Sequence, residues 1–252
     1  MRVVVLLLSL LLGTGVVAAQ PLRLTSGEWP PFHGTELPQQ GVASQIVTEA
    51  FALEGIEVQW EFLPWARAMQ LASQGRRAGT GLWRRNAERE RLFYISDPVL
   101  ETQTHLFHRK SVELTWQTLL DLQGLRIGAT RGYYYGEAFE RAELSGQLNV
   151  QRIISDEVAL RQLLAGRIDL FPLARTVASS LLAQRFTSAE RLQLSFHPRP
   201  LSSHSLHLLL SRRIAANAEL MARFNNGLAR LHESGKVAQW LLDAQQPLGL
   251  TP

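Results

Sequence analysis

The sequence predicts an α/β protein, built from two successive α/β units and a late returning strand. Two observations predict this. Strand-period and helix-period stretches alternate as β-α-β-α-β from residue 22, and the same alternation restarts after residue 125. A further strand at 205–210 then precedes two C-terminal amphipathic helices. The size and composition agree: 252 residues, 46% hydrophobic and 19% charged, make ordinary globular material, enough for one large domain or two modest ones.

Formal charge is +4 and rests on arginine, since Lys110 and Lys236 are the only lysines. The basic residues are scattered instead of forming a run, so no nucleic-acid partner is expected. The chain has no cysteine. Disulfide frameworks, thiol catalysis and cysteine metal sites are therefore excluded.

Residues 1–19 read as a cleaved signal peptide. Arg2 gives a positive start, Val3–Leu12 is apolar apart from Ser9, and Val17-Ala18-Ala19 supplies the small residues a signal peptidase needs. The apolar stretch is short for a membrane span and has no basic stop sequence after it. No cysteine follows it, which excludes a lipoprotein. The expected mature chain begins at Gln20, is exported to the periplasm, and carries one positive charge less without Arg2.

The first unit opens with a strand, Leu22–Ser26, whose side chains alternate between two faces. Trp29-Pro30-Pro31-Phe32 cannot continue it, because two prolines remove two ladder donors. That loop carries an aromatic pair from a strand end, which suits either a ligand wall or a loop packed on its own core. A helix over 41–54 buries Val42, Ile46, Val47, Ala50 and Phe51 and ends at Gly55. Strand 57–62 alternates Val58, Trp60 and Phe62 against Glu57, Gln59 and Glu61.

Residues 64–97 are the most distinctive stretch. Trp65, Ala68, Met69 and Ala72 share a helical face, and Gly75 stops that helix. A Gly79-Thr80-Gly81 strand follows, and then Arg84, Arg85, Arg89 and Arg91 crowd beside Trp83. Asn86 is placed to cap a short helix over 87–90. Several guanidiniums beside an aromatic ring suit a carboxylate, because the planar fork matches two oxygens at once. A solvated face of internal Arg–Glu pairs fits the same residues.

Strand 103–109 leads to the second unit: strand Leu125–Ala129, a Thr130-Arg131-Gly132 turn, and a helix over 133–143 beginning with Tyr133, Tyr134 and Tyr135. Free backbone N–H groups at such a helix start make an anion seat. The tyrosines either line a cleft or pack on the helix surface. Strand 149–153 precedes a helix capped by Ser155, with Leu160, Leu163 and Leu164 inward and Gly166 at its end. Strand Ile168–Pro172 and a helix marked by Val177, Ala178, Leu181 and Leu182 complete the unit. The C-terminal helices present Leu220, Phe224, Leu228 and Leu231, then Val237, Trp240 and Leu241.

Five blocks in order carry a resemblance. They are Glu28-Trp29-Pro30-Pro31-Phe32, Pro64-Trp65-Ala66-Arg67-Ala68, Asn86-Ala87-Glu88-Arg89 with Ser96-Asp97-Pro98, Leu119–Gly128, and Gly166-Arg167-Ile168-Asp169. Together they resemble the signature of family 3 periplasmic solute-binding proteins, the polar amino-acid type of ABC-transporter substrate-binding protein. The resemblance implies a type II periplasmic-binding-protein fold, with two α/β lobes joined by two crossing strands near 104–109 and 203–208. The first lobe would hold 20–106 and 206–252, and the second 107–205.

The resemblance also implies a monomer that captures a small carboxylate-bearing solute by hinge closure, for an ABC permease or a membrane sensor receptor. It implies neither cofactor nor metal. Arg89 matches the arginine that pairs with a ligand carboxylate, with Arg85 and Arg91 as alternatives that a shift of a few residues in the turn would exchange for it. Thr80 and Gly81 match a strand that hydrogen-bonds the same group, and Arg131, Gly132 and Tyr133 match a second carboxylate-binding loop. Trp29 and Phe32 would form the wall. Two departures stand out. Leu82 and Arg84 replace small hydroxyl residues, and 170–175 lacks the aspartate that holds an α-ammonium. An amine could instead be held by Glu28. Some proteins of this fold are hydro-lyases, but Glu28, Asp97 and Glu137 sit in no catalytic motif. His105/His108 and His204/His207 are each three apart, hence on opposite strand faces and unable to chelate.

Overall fold

The computed structural model describes residues 20–244, so the expected signal peptide at 1–19 lies outside it, as do 245–252. β1 (Leu22–Ser26) is flanked by β2 (Val58–Phe62) and β3 (Gly79–Trp83), both parallel to it. α1 (Val42–Ala52) and α2 (Trp65–Ser73) make the crossovers. The expected inward face of α1 is buried throughout, and Gly55 takes the positive φ of 71° that ends the helix. α3 (Ala87–Leu92) is capped by Asn86, whose side chain accepts from the Arg89 N–H, and leads into β4 (Phe93–Ile95).

Two ten-residue strands then organise the molecule. β5 (Leu100–Arg109) runs out of this half, and β10 (Ser202–Ser211) returns to it. They pair antiparallel over Thr104–Leu100 and Ser202–Leu206, while the far part of β10 pairs with β3 and β4. The other half of β5 pairs with β8 (Phe171–Ala174) and β9 (Leu194–Phe196). One sheet, β2-β1-β3-β10-β5-β8, therefore passes through both halves.

The second half adds β6 (Arg126–Thr130) parallel to β7 (Asn149–Ile153), tied to the main sheet by a bridge from Ile127 to Leu170. Around it stand α4 (Glu137–Leu144), α5 (Asp156–Leu164), α6 (Arg175–Arg185) and α7 (Ser188–Arg191). Its own cluster packs Leu106, Trp116, Ile127, Phe139 and Leu170. α8 (Asn217–Glu233) and α9 (Lys236–Asp243) return to the first half. There Phe224 meets Phe51 of α1 with ring centroids 4.9 Å apart. Gly227 lets the two helices touch, since a Cβ there would lie 2.1 Å from the Ala50 carbonyl oxygen.

Three local expectations need correcting. The helix expected over 133–143 begins at Glu137, because Gly136 precedes it with φ 111°, outside the helical region. The three tyrosines are thus loop residues, and the expected helix-start anion seat is not formed by them. The strand expected over 168–172 lies at 171–174, where the hydrogen-bond partners on β5 are found. The short α7 and β9 carried no periodic signal. Among the described residues no helix is long and apolar enough to cross a membrane.

Candidate functional site

The carboxyl ends of β1, β3 and β6 converge between the two halves, the usual place for a ligand in parallel sheets. They enclose a cavity of about 70 Å³. The first half contributes Trp29, Trp65, Leu82, Trp83, Arg84 and Arg89; the second contributes Gly132, Tyr133 and Tyr134; Leu206 of β10 lies between.

Each wall has a local cause. Trp29 is held in its loop by His33, whose N–H donates to the Trp29 carbonyl at 3.1 Å while the Trp29 N–H donates to the His33 carbonyl at 2.8 Å. Trp65 opens α2 and lies flat on the chain at Gly27, where a Cβ would come within 2.2 Å of its indole. Its ring stands edge-on to Trp83 at 5.0 Å and to Trp29 at 6.4 Å. Trp29 in turn meets Tyr133 of the other half, edge-on at 6.5 Å. The Trp83 indole is fixed by donating to the Thr80 hydroxyl at 3.0 Å.

Leu82 has φ 55°, a left-handed conformation costing a non-glycine residue about 1–2 kcal/mol. It coincides with a register shift on β10 between His207 and Leu209. The twist resets side-chain direction just where the strand reaches the cavity. It delivers Trp83 and Arg84 there in succession.

Two guanidiniums share this space. Arg89 stacks 4.7 Å above the Trp83 ring and donates to the Arg84 carbonyl at 2.6 Å. Arg84 crosses the interface, donating to the Tyr134 carbonyl and, at 3.0 Å, to the Thr104 hydroxyl on β5. Burial lowers the Arg84 pKa to about 10, with the neighbouring Arg89 charge adding to the effect. Burial lowers Arg89 as well. Both stay protonated at neutral pH, and among the described residues neither forms a salt bridge.

The tyrosine loop is anchored from behind. Arg152 donates to the Tyr133 carbonyl at 2.9 Å, and the Thr130 N–H donates to the Tyr135 hydroxyl at 2.9 Å. Asp156, at the start of α5, accepts from the Thr130 hydroxyl at 2.5 Å and from the Tyr133 hydroxyl at 3.1 Å. Burial raises its carboxyl pKa to about 6, and those two hydrogen bonds offset only part of that. Asp156 borders a second cavity of about 280 Å³ beyond Trp29 and Tyr133, which Glu28, Arg131 and Glu157 also line.

Of the residues singled out in the sequence, Trp29, Arg89, Gly132 and Tyr133 meet around the smaller cavity. The others are placed elsewhere. Thr80 is fully buried and occupied by the Trp83 indole. Gly81 faces the core, where a Cβ would come within 2.8 Å of Trp60. Phe32 is buried beneath Trp29, 4.8 Å away between ring centroids. Arg85 is exposed and paired with Glu90 at 2.5 Å. Arg131 is exposed beside the larger cavity. Glu28 turns back to accept from Thr35, Asp97 lies by Asn225, and Glu137 pairs with Arg141.

Trp65, Leu82, Trp83, Arg84, Tyr134 and Leu206 line the cavity without having been put forward as site residues. Trp83 and Arg84 had left a signal in the arginine cluster, Tyr134 in the tyrosine run, and Leu82 and Arg84 as departures where the resemblance calls for a small hydroxyl.

No protein-family model matches the chain, and no curated protein matches its sequence. Solved structures do match its fold. The GluR0 ligand-binding core from Nostoc punctiforme, in complex with L-glutamate, aligns with a TM-score of 0.71 at 17% identity, covering 90% of this chain and 100% of that one. An ancestral arginine-binding protein bound to arginine aligns at 0.74 and 16%, covering 90% and 98%. A histidine kinase sensor domain with similarity to periplasmic binding proteins aligns at 0.71 and 20%, covering 92% and 99%. The chain thus has the type II periplasmic-binding-protein fold.

Proposed function

We propose that this chain is a periplasmic solute-binding protein that captures a small carboxylate-bearing molecule between its lobes. In this reading 1–19 is a cleaved signal peptide, 20–106 with 206–252 forms the first lobe, and 107–205 forms the second. The observation that carries the reading is Arg89. Its guanidinium lies against Trp83 in a cavity between the two halves, largely desolvated and without a salt bridge among the described residues; the nearby Glu88 charge offsets only part of that burial. A desolvated fork with free donors recognises a carboxylate strongly, because each charge-assisted hydrogen bond replaces water poorly retained there.

Closure about β5 and β10 excludes water and brings both walls onto the solute, so the solute shifts the equilibrium toward the closed form. The fold neighbours include an arginine-bound protein, a glutamate-bound receptor core and a kinase sensor domain, which supports solute capture for a membrane partner, either permease or receptor. The cavity walls hold no acid–base pair that would favour an enzyme. The test is a thermal-shift screen of small carboxylic acids on the purified protein. A ligand at a hundred times its Kd should stabilise by about 2.7 kcal/mol. Arg89→Ala should abolish that shift, and a full response in the variant would remove Arg89 from the site.

A further inference from the structure

Resting on the capture reading, we infer that the cleft selects a small organic acid with a flat apolar body and no ammonium group. Its carboxylate lies between the guanidiniums of Arg84 and Arg89. An amino acid of the same shape is rejected.

Charge is the first ground. Arg84 and Arg89 both line the cavity, and no aspartate or glutamate is among its lining residues. The nearby acids are engaged elsewhere. Asp156 lies behind Tyr133, with its two oxygens taken by Thr130 and Tyr133. Glu28 accepts from both the backbone N–H and the hydroxyl of Thr35. Glu88 is exposed to solvent on α3 and is not part of the cavity wall; its charge reaches Arg89 without a hydrogen bond or salt bridge among the described residues. An ammonium entering here would be a third cation in a desolvated space with no acceptor of opposite charge, and such burial is strongly unfavourable. The β8 segment from Leu170 to Ala174 is apolar and supplies no acid from the second half.

Donor count is the second. A guanidinium offers five N–H groups. Arg84 directs one to Tyr134 and one to Thr104, and Arg89 directs one to the Arg84 carbonyl. The remaining donors are left for a ligand, and two carboxylate oxygens can each accept from both arginines. Trp29 adds another: its indole N–H is buried without an acceptor.

The body of the ligand follows from the rest of the wall. Trp29, Trp65, Trp83, Tyr133 and Tyr134 present rings, and Leu82 and Leu206 fill between them. Such a lining stacks on a planar hydrocarbon or aryl group and offers little to a sugar or a second charged head.

The experiment is calorimetric titration of the wild-type protein with matched pairs that differ only in the amine. Suitable pairs are 3-phenylpropanoate against L-phenylalanine, 4-hydroxyphenylpropanoate against L-tyrosine, and glutarate against L-glutamate. The expected result is that the acid of an aryl pair binds at least tenfold tighter than its amino acid and tighter than glutarate. Arg84→Gln should then weaken the aryl acid at least tenfold, and Arg84→Lys should recover only part of that. Tighter binding of any of the amino acids would overturn the inference and leave solute capture standing. Silence across all six compounds would overturn this inference, while the broader screen of carboxylic acids decides solute capture. Equal affinity of wild type and Arg84→Gln for the aryl acid would remove Arg84 from the site and overturn the two-guanidinium seat.

Discussion

Asp156 offers a sharp test of how the second wall of the cleft is held. Its carboxyl is buried between Thr130 and Tyr133, and burial lifts its pKa from 3.8 to about 6. For an acid raised in this way, the folded state has its full stability while the group is protonated in both states. It loses stability as pH climbs from about 4 through about 6, where the folded protein must ionise a group that water would ionise more easily. The displacement corresponds to on the order of 3 kcal/mol at neutral pH. Asp156→Asn removes the charge and keeps both contacts, because its carbonyl oxygen can accept from Tyr133 and its amide can donate to the Thr130 hydroxyl oxygen. Urea unfolding of wild type and variant from pH 4 to pH 8 should give a stability difference that grows in the variant's favour over that window, then levels off above pH 7. Other titrating groups act on both proteins and cancel in the difference. Curves that stay parallel between pH 4 and pH 7 would refute the assignment of a buried, ionisable carboxyl at this position.

Three further outcomes follow from geometry already described. Arg89→Lys should restore little of the binding lost in Arg89→Ala, since an ammonium keeps the charge without the fork, and calorimetry reads this directly. Gly227→Ala should destabilise by about 1–2 kcal/mol in urea titration. A helical propensity gain of about 1 kcal/mol is outweighed by overpacking at the upper end of its usual range, about 2–3 kcal/mol, because the new Cβ would sit 2.1 Å from the Ala50 carbonyl. Gly27→Ala should push the Trp65 indole off its seat, 2.2 Å from the added carbon, and weaken ligand binding about tenfold (about 1.4 kcal/mol). Its ligand-free unfolding midpoint should move little, since Trp65 is only half-buried.

Much of the fold was legible because its signals are local. The inward stripe of α1, the Asn86 and Ser155 caps and the glycine stops at 55, 75 and 166 all lie within a few residues of what they determine. The errors came where distant partners decide. The β8 strand begins at 171 because that is where β5 offers hydrogen bonds. The Tyr133–Tyr135 segment stays out of the helix where Arg84, Arg152 and Thr130 hold its carbonyls and hydroxyl from three other parts of the chain.

The motif resemblance pointed to Arg89, which does line the cavity, but the surroundings of Thr80 and Gly81 could not be read. Those two depend on Trp83 and Trp60 packing over them, and beyond them the count of alternate faces fails where Leu82 turns left-handed, which no propensity announces. The same turn hid Arg84, which local charge patterning grouped with the exposed Arg85.

The bond from Arg84 to the Tyr134 carbonyl has a thermodynamic meaning of its own. It is made entirely of protein atoms, reaches from one lobe to the other, and is backed by Thr104 on the connecting strand. Two conformers joined by such a contact divide their population without help from a solute, and the competent fraction multiplies the intrinsic affinity. A larger pre-closed fraction raises apparent affinity while shrinking the change in shape that a solute can cause. In the proposed role, where a membrane partner receives the protein, outline alone then becomes a poor report of occupancy.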